Sequence, residues 1–148
     1  MIPKAIRAVA VGVIAPLALA ACRGETTGTE ESPRTVEIQA LDELRFEPSE
    51  VTVQAGETVR FVVTNPGEIL HEFVLGPEHV QMAHEEASEA GEEHGGMHVE
   101  GQLAALDVDP ESTEEVTVTF EEGGEMLFGC HEPGHYQGGM VGTVIIEG

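Results

Sequence analysis

From Thr35 onward, apolar and polar side chains alternate in short runs. Val36 and Ile38 alternate with Glu37 and Gln39, and Val51 and Val53 follow a turn at Pro48-Ser49. Val59, Phe61 and Val63 share one face after a second turn, Gln54-Ala55-Gly56-Glu57. A period of two marks half-buried strands, because successive side chains of a strand point to opposite faces. Asn65-Pro66-Gly67 breaks that run. The next run sets His71 in parity with Phe73 and Leu75, so the imidazole can point to the core side. Further on, Val116, Val118 and Phe120 alternate with Thr117 and Thr119, and Glu121 to Gly124 reads as a turn. Met126, Phe128 and Cys130 share parity, which carries the thiol inward at its strand's end, and Val141 to Ile146 closes the sheet. Short strands, frequent turns and no long helical period predict an all-β sandwich over residues 35–148.

One stretch, residues 76–106, departs from this rhythm. Gly76-Pro77 opens it, Glu78 to Glu93 is rich in Ala and Glu and predicts a helix, and Gly95-Gly96 breaks that helix. His79, Met82, His84, His94, Met97 and His98 lie within it. Imidazole mixed with thioether favours Cu(I), and His79 and Met82, at i and i+3, would share a helix face. These six are candidate secondary metal ligands; an acidic, solvated excursion is the competing reading.

The other departure is the N-terminus. Lys4 and Arg7 precede an apolar run from Ala8 to Ala18, too short to span a bilayer comfortably, and Leu19-Ala20-Ala21-Cys22 follows. Residues 1–21 thus read as a signal peptide of the lipoprotein type, with Cys22 lipidated and holding the chain to a membrane. An ordinary secretory signal and an uncleaved anchor are the alternatives. Residues 22–34, nearly devoid of apolar side chains, predict a flexible tether. The protein is then exported and works at the extracytoplasmic, or periplasmic, face of a membrane. With Cys22 lipidated, Cys130 is the one remaining thiol, against the rival of a Cys22–Cys130 bridge.

Charge narrows the partners. The 148 residues carry 28 acids against 6 bases. From Cys22 onward four arginines remain and no lysine, a formal charge of −24. Such a surface excludes nucleic-acid binding, which needs a basic footprint. It suits a partner with a basic docking face, or simple solvation.

The chemistry concentrates in Gly129-Cys130-His131-Glu132-Pro133-Gly134-His135-Tyr136-Gln137-Gly138-Gly139-Met140. Cys130, His135 and Met140 recur there at intervals of five on a Gly- and Pro-rich loop, and His71 is the candidate fourth donor. One thiolate, two imidazoles and a weak thioether are what a mononuclear type 1 copper site needs. Zinc is the weaker choice, since the loop lacks a second Cys and a thioether is a poor zinc ligand. A nucleophilic Cys–His pair has no third member or oxyanion hole in view. His131 reads as exposed or adjacent to the ligands, not catalytic. The chain is therefore expected to be no enzyme but an electron carrier or copper-binding protein.

These residues resemble the cupredoxins, the blue copper proteins, over about residues 35–148. The ligand-loop spacing is similar to that of auracyanins and rusticyanins, and the phrase His71-Glu72-Phe73-Val74-Leu75-Gly76 resembles bacterial periplasmic cupredoxins linked to copper tolerance. The resemblance implies single-electron transfer, with His135 as the electron port and Pro133, Tyr136 and Gly138-Gly139 as an apolar rim. It implies a redox partner, a cytochrome or copper oxidase. It also implies that His71 is locked through its second ring nitrogen. One position differs: Glu72 stands where many cupredoxins place Asn or Ser. Either Glu72 accepts hydrogen bonds from loop amides, or the site is looser and greener. A looser site and the His/Met insertion both suit the alternative function, copper sequestration or delivery.

Overall fold

The computed structural model describes residues 27–91 and 97–148. Nine strands and one helix are found among them: β1 (Arg34–Leu41), β2 (Arg45–Glu47), β3 (Glu50–Gln54), β4 (Thr58–Thr64), β5 (His71–Gly76), α1 (Glu78–Glu89), β6 (Ala104–Val108), β7 (Thr113–Thr119), β8 (Gly124–Gly129) and β9 (Val141–Glu147). They form a four-stranded sheet, ordered β2-β1-β4-β7, and a five-stranded sheet, ordered β3-β9-β8-β5-β6. The expected all-β sandwich is what the chain adopts.

The alternating residues make the core. Ile38, Val53, Val59, Phe61, Val63, Phe73, Leu75, Val144 and Phe128 are almost wholly buried in one cluster. All five phenylalanines join it: Phe73 lies 5.4 Å from Phe128, 6.0 Å from Phe46 and 5.7 Å from Phe61, and Phe61 lies 6.2 Å from Phe120, ring centre to ring centre. Each buried phenyl ring contributes about 1.5–3 kcal/mol over leaving it exposed, so this chain of rings is the main tie between the two sheets.

Two strands escape the sequence pattern. β2 has three residues, too few to show alternation, yet its Phe46 is 2% exposed. β6 starts at Ala104, inside the expected insertion, and pairs with β5 from Leu75↔Ala104 to His71↔Val108. The excursion from the sheet therefore spans residues 77–103. The helix also ends earlier than expected, at Glu89, because Gly91 adopts a left-handed φ of 71° just beyond its cap.

β5 is buried on both faces. Its His71, Phe73 and Leu75 turn to the core as the alternation predicts. Glu72 and Val74 are buried too, because α1 packs over the outer face through Val80, Gln81 and His84. At the other end of the sandwich, Gly28 is packed against Arg34 and Thr58, and the Thr58 amide donates to its carbonyl at 3.0 Å. The expected tether thus stops short of residue 28, and Thr29 and Ser32 form a small bridge on the domain. The expected signal segment 1–21, Cys22 and His94 lie outside the described residues.

Candidate metal centre

β5 and β8 are antiparallel neighbours in the register Val74↔Gly129. The first residue of β5 and the residue after β8 therefore meet at one end of the sandwich. These are His71 and Cys130, both 0% exposed. The turn before β5 is held by Asn65, also 0% exposed, whose amide nitrogen donates to the carbonyls of Ile69 (2.7 Å) and Val108 (2.9 Å). Its oxygen accepts from the Gly67 amide at 3.0 Å.

The loop after Cys130 folds back on itself. The Cys130 amide donates to Met140 O at 3.1 Å, and the Met140 amide donates to His135 O at 3.0 Å. Gly134 and Gly139 take left-handed φ values of 84° and 101° at its bends. Cys130 Sγ lies 3.3 Å from His135 Nδ1 and 3.9 Å from His71 Nδ1. The three donor atoms lie within 4.8 Å of one another, the single group of its kind among the described residues. Met140, 0% exposed, ends the loop and joins the same buried cluster as Cys130.

This arrangement fits a metal ion. Nitrogen and sulfur donors at bond lengths of about 2.0–2.3 Å from one ion sit roughly 3.3–4 Å apart, which is the spacing seen. Burial pushes the Cys130 thiol up to about 12, with the Glu72 and Glu132 amides pulling it down and their carboxylates pushing it up. Such a thiol stays protonated at neutral pH unless a cation compensates the thiolate, which argues against a free nucleophile. Burial holds His71 below its ordinary value, aided by His135, so the neutral, ligating imidazole is favoured. A soft set of sulfur and imidazole donors suits copper.

The surroundings resolve the position of Glu72. Its amide donates to Cys130 Sγ at 3.3 Å, and its carboxylate accepts from the His131 amide at 3.2 Å. Of the two readings of the sequence, the first holds: Glu72 accepts from the loop. Burial pushes its carboxyl up to about 7, with Glu132 and Asp107 adding to the effect. The second nitrogen of His71 faces Asp42 Oδ1 at 3.5 Å without a hydrogen bond to it. Asp42, in the loop between β1 and β2, carries no motif in the sequence and is brought here only by folding.

His131 is not exposed. It is 0% exposed and stacks on Tyr136 at 4.7 Å, while both ring nitrogens meet side chains of α1. Tyr136 is thereby turned towards His131 and Gly129 rather than outward. Ile69 and Leu70, just before His71, are the exposed large apolar residues near the site. His135 is half-buried.

Among the described residues, those of the insertion are not gathered into one cluster. His79 Nε2 bonds Glu100 O at 2.8 Å, His84 is buried against Gln102 at 2.8 Å, and Met82 is 60% exposed. His79 and Met82 do line one open depression with Glu78, Glu85, Glu86 and Glu89. The Met97 carbonyl accepts from Gln102 Nε2 at 3.4 Å, and His98 is exposed.

The family described as copper binding proteins, plastocyanin/azurin family, matches residues 34–147, and the chain belongs to it. Copper is the cofactor of this cupredoxin-fold protein. Among curated relatives, the copper-resistant cuproprotein CopI of Rubrivivax gelatinosus is 37% identical over 84% of this chain and 73% of its own length. The protein of the same description from Pseudomonas aeruginosa is 32% identical over 84% and 82%. Among solved structures, auracyanin A, a "blue" copper protein from Chloroflexus aurantiacus, aligns with a TM-score of 0.69 and 27% identity over 78% of this chain and all of that one. The auracyanin of Roseiflexus castenholzii gives 0.67 and 26% over 77% and 97%.

Proposed function

We propose that His71, Cys130, His135 and Met140 hold one type 1 copper and that the protein exchanges single electrons through it, without catalysing a reaction of its own. The observation that carries this reading is the buried Cys130 thiol flanked at 3.3 and 3.9 Å by the Nδ1 atoms of His135 and His71. Copper bound by such donors cycles between Cu(II) and Cu(I), accepting or releasing one electron. The chain's part is to keep the donors still. The two sheets bury Cys130 and His71, Glu72 holds the loop and the sulfur, and water is kept from the sulfur. His135, half-buried, is the route to solvent, and Ile69 and Leu70 offer a small apolar surface beside it for brief docking of a redox protein. The strong negative charge favours a basic partner, a cytochrome or copper oxidase being the expected class. The N-terminal pattern supports export and a lipid on Cys22.

Cys130→Ser should abolish the intense visible thiolate-to-copper band of the Cu(II) protein. A coloured Cys130→Ser protein overturns the ligand assignment.

A second reading, protection against copper outside the cytoplasm, is favoured by the printed description of the CopI relatives. It requires either redox handling at the same single site or storage of further Cu(I). Replacing His79, Met82, Met97 and His98 together separates storage from electron exchange at the single site. Electron transfer alone predicts unchanged copper stoichiometry and partner reduction rates. Storage predicts extra Cu(I) in the wild type that the replacement removes, with poorer growth at high copper.

A further inference from the structure

Helix α1 does more than cover β5. It presents Gln81, Glu85 and Glu89 at i, i+4 and i+8, a single stripe, and each touches the metal-bearing end of the chain. Gln81 is 0% exposed, and its amide nitrogen donates to Val74 O and Leu127 O, both at 3.0 Å. These carbonyls belong to β5 and β8, the strands that deliver His71 and Cys130. With the nitrogen so committed, the Gln81 oxygen faces His131 Nε2 at 2.9 Å. Glu85 Oε2 meets the other ring nitrogen, Nδ1, at 3.0 Å. One turn further, Glu89 accepts from Gln137 Nε2 at 2.7 Å, within the ligand loop.

The fit is close enough to constrain the backbone. A Cβ on Gly129 would stand 2.6 Å from Gln81 Oε1 and 2.8 Å from Tyr136 Cε2, so only glycine lets the helix side chain reach this far. Gly129 is bonded to Cys130, which is bonded to His131. The thiol-bearing residue is therefore held at its sulfur by the Glu72 amide and at its neighbour His131 by the Glu72 carboxylate and α1. His131 cannot turn without breaking contacts to an amide, a carboxylate and the Tyr136 ring, and the backbone it shares with Cys130 is held with it.

Resting on the copper assignment above, we propose that Gln81 and Glu85 of α1, acting through His131, are positioning residues that set the orientation of the Cys130 sulfur at the copper. Groups that orient a metal ligand from outside the donor set change affinity by roughly 10–100-fold when removed. They also change the overlap between sulfur and copper, which the visible and electron paramagnetic resonance spectra report directly.

The test loads the full chain with Cu(II) and compares wild type, Gln81→Leu, Glu85→Ala, Glu85→Gln and Glu86→Gln. Glu86 is on the same helix, exposed, and bonds nothing at the loop. Wild type and Glu86→Gln should share one spectrum. Gln81→Leu and Glu85→Ala should shift the ratio of the two thiolate-to-copper bands and the copper hyperfine splitting, and weaken Cu(II) binding by roughly 10–100-fold. Glu85→Gln, which keeps an oxygen opposite His131, should restore the wild-type spectrum. Should Gln81→Leu fail to fold, the half-buried Glu85 pair decides alone. A lower melting temperature with unchanged spectrum and affinity would make α1 a mere brace and overturn the proposal. Wild type that takes no copper through Cys130 would defeat the ligand assignment first, and this proposal with it.

Discussion

Asn65 gives the sharpest check on how the fold builds the site. It is 0% exposed and its side chain makes three hydrogen bonds, to Ile69 O, to Val108 O and from Gly67 N, that tie the turn before β5 to the end of β6. Asn65→Ala removes all three. Each such bond contributes about 0.5–1.5 kcal/mol net, and a buried group left without a partner costs about 1–3 kcal/mol. Val108 is 0% exposed, so its carbonyl is the group most exposed to that penalty. The expected loss is about 2–4 kcal/mol, to be read from urea melts of the metal-free protein with the slope unchanged. Asn65→Asp is the companion. It keeps the oxygen for Gly67 but sets a carboxylate against two carbonyls, so it should cost at least as much as alanine. A loss below about 1 kcal/mol for Asn65→Ala, or an Asp variant near wild type, would refute the reasoning. The physical link to function is Ile69, two residues before His71: with the turn loosened, copper affinity should fall alongside stability.

Met140 should tune the copper more than it holds it, because a thioether is the weakest of the four donors. Met140→Leu is expected to keep copper and raise the reduction potential measured by voltammetry; outright loss of copper would make Met140 a primary ligand. Elsewhere in the fold, burial pushes the carboxyl of Glu57 up, but the Arg34 guanidinium at 2.5 Å and the Gln54 and Gly28 amides outweigh it, leaving the group below its ordinary value of 4.5. A depressed carboxyl contributes stability that is present above 4.5 and disappears as pH falls through its folded value. Glu57→Gln should therefore lower stability at pH 7 and flatten the acid limb of a stability–pH curve; an unchanged acid limb would rule out this pair as its source.

The helix shows where sequence reading falls short. Its existence followed from Ala- and Glu-rich composition, and nothing in the sequence marked Gln81 for burial. Gln81 is nevertheless among the most buried side chains, because three backbone carbonyls and a histidine ring receive its polar atoms. Burial of a polar residue depends on partners far along the chain, and Leu127 and His131 are 46 and 50 residues away. No local pattern announces them.

By itself the sequence determined the period-two strands, and with them the sandwich and its inward-facing residues. It also supplied the candidate donors, since Cys130, His135 and Met140 lie on one short loop, His71 sits in parity with the core side of its strand, and ligand chemistry is a property of residue type. Spacing along a chain carries that information because loop closure over five residues leaves few geometries. The convergence of His71 on Cys130, the outer hold and the electrostatics were decided by tertiary structure. His71 reaches Cys130 through the register of β5 with β8, Asp42 reaches His71 from a different sheet, and His131 is buried because α1 folds back over the strand it follows. These contacts span from 29 to 59 residues of chain, and only the packing of the whole sandwich brings them within bonding distance.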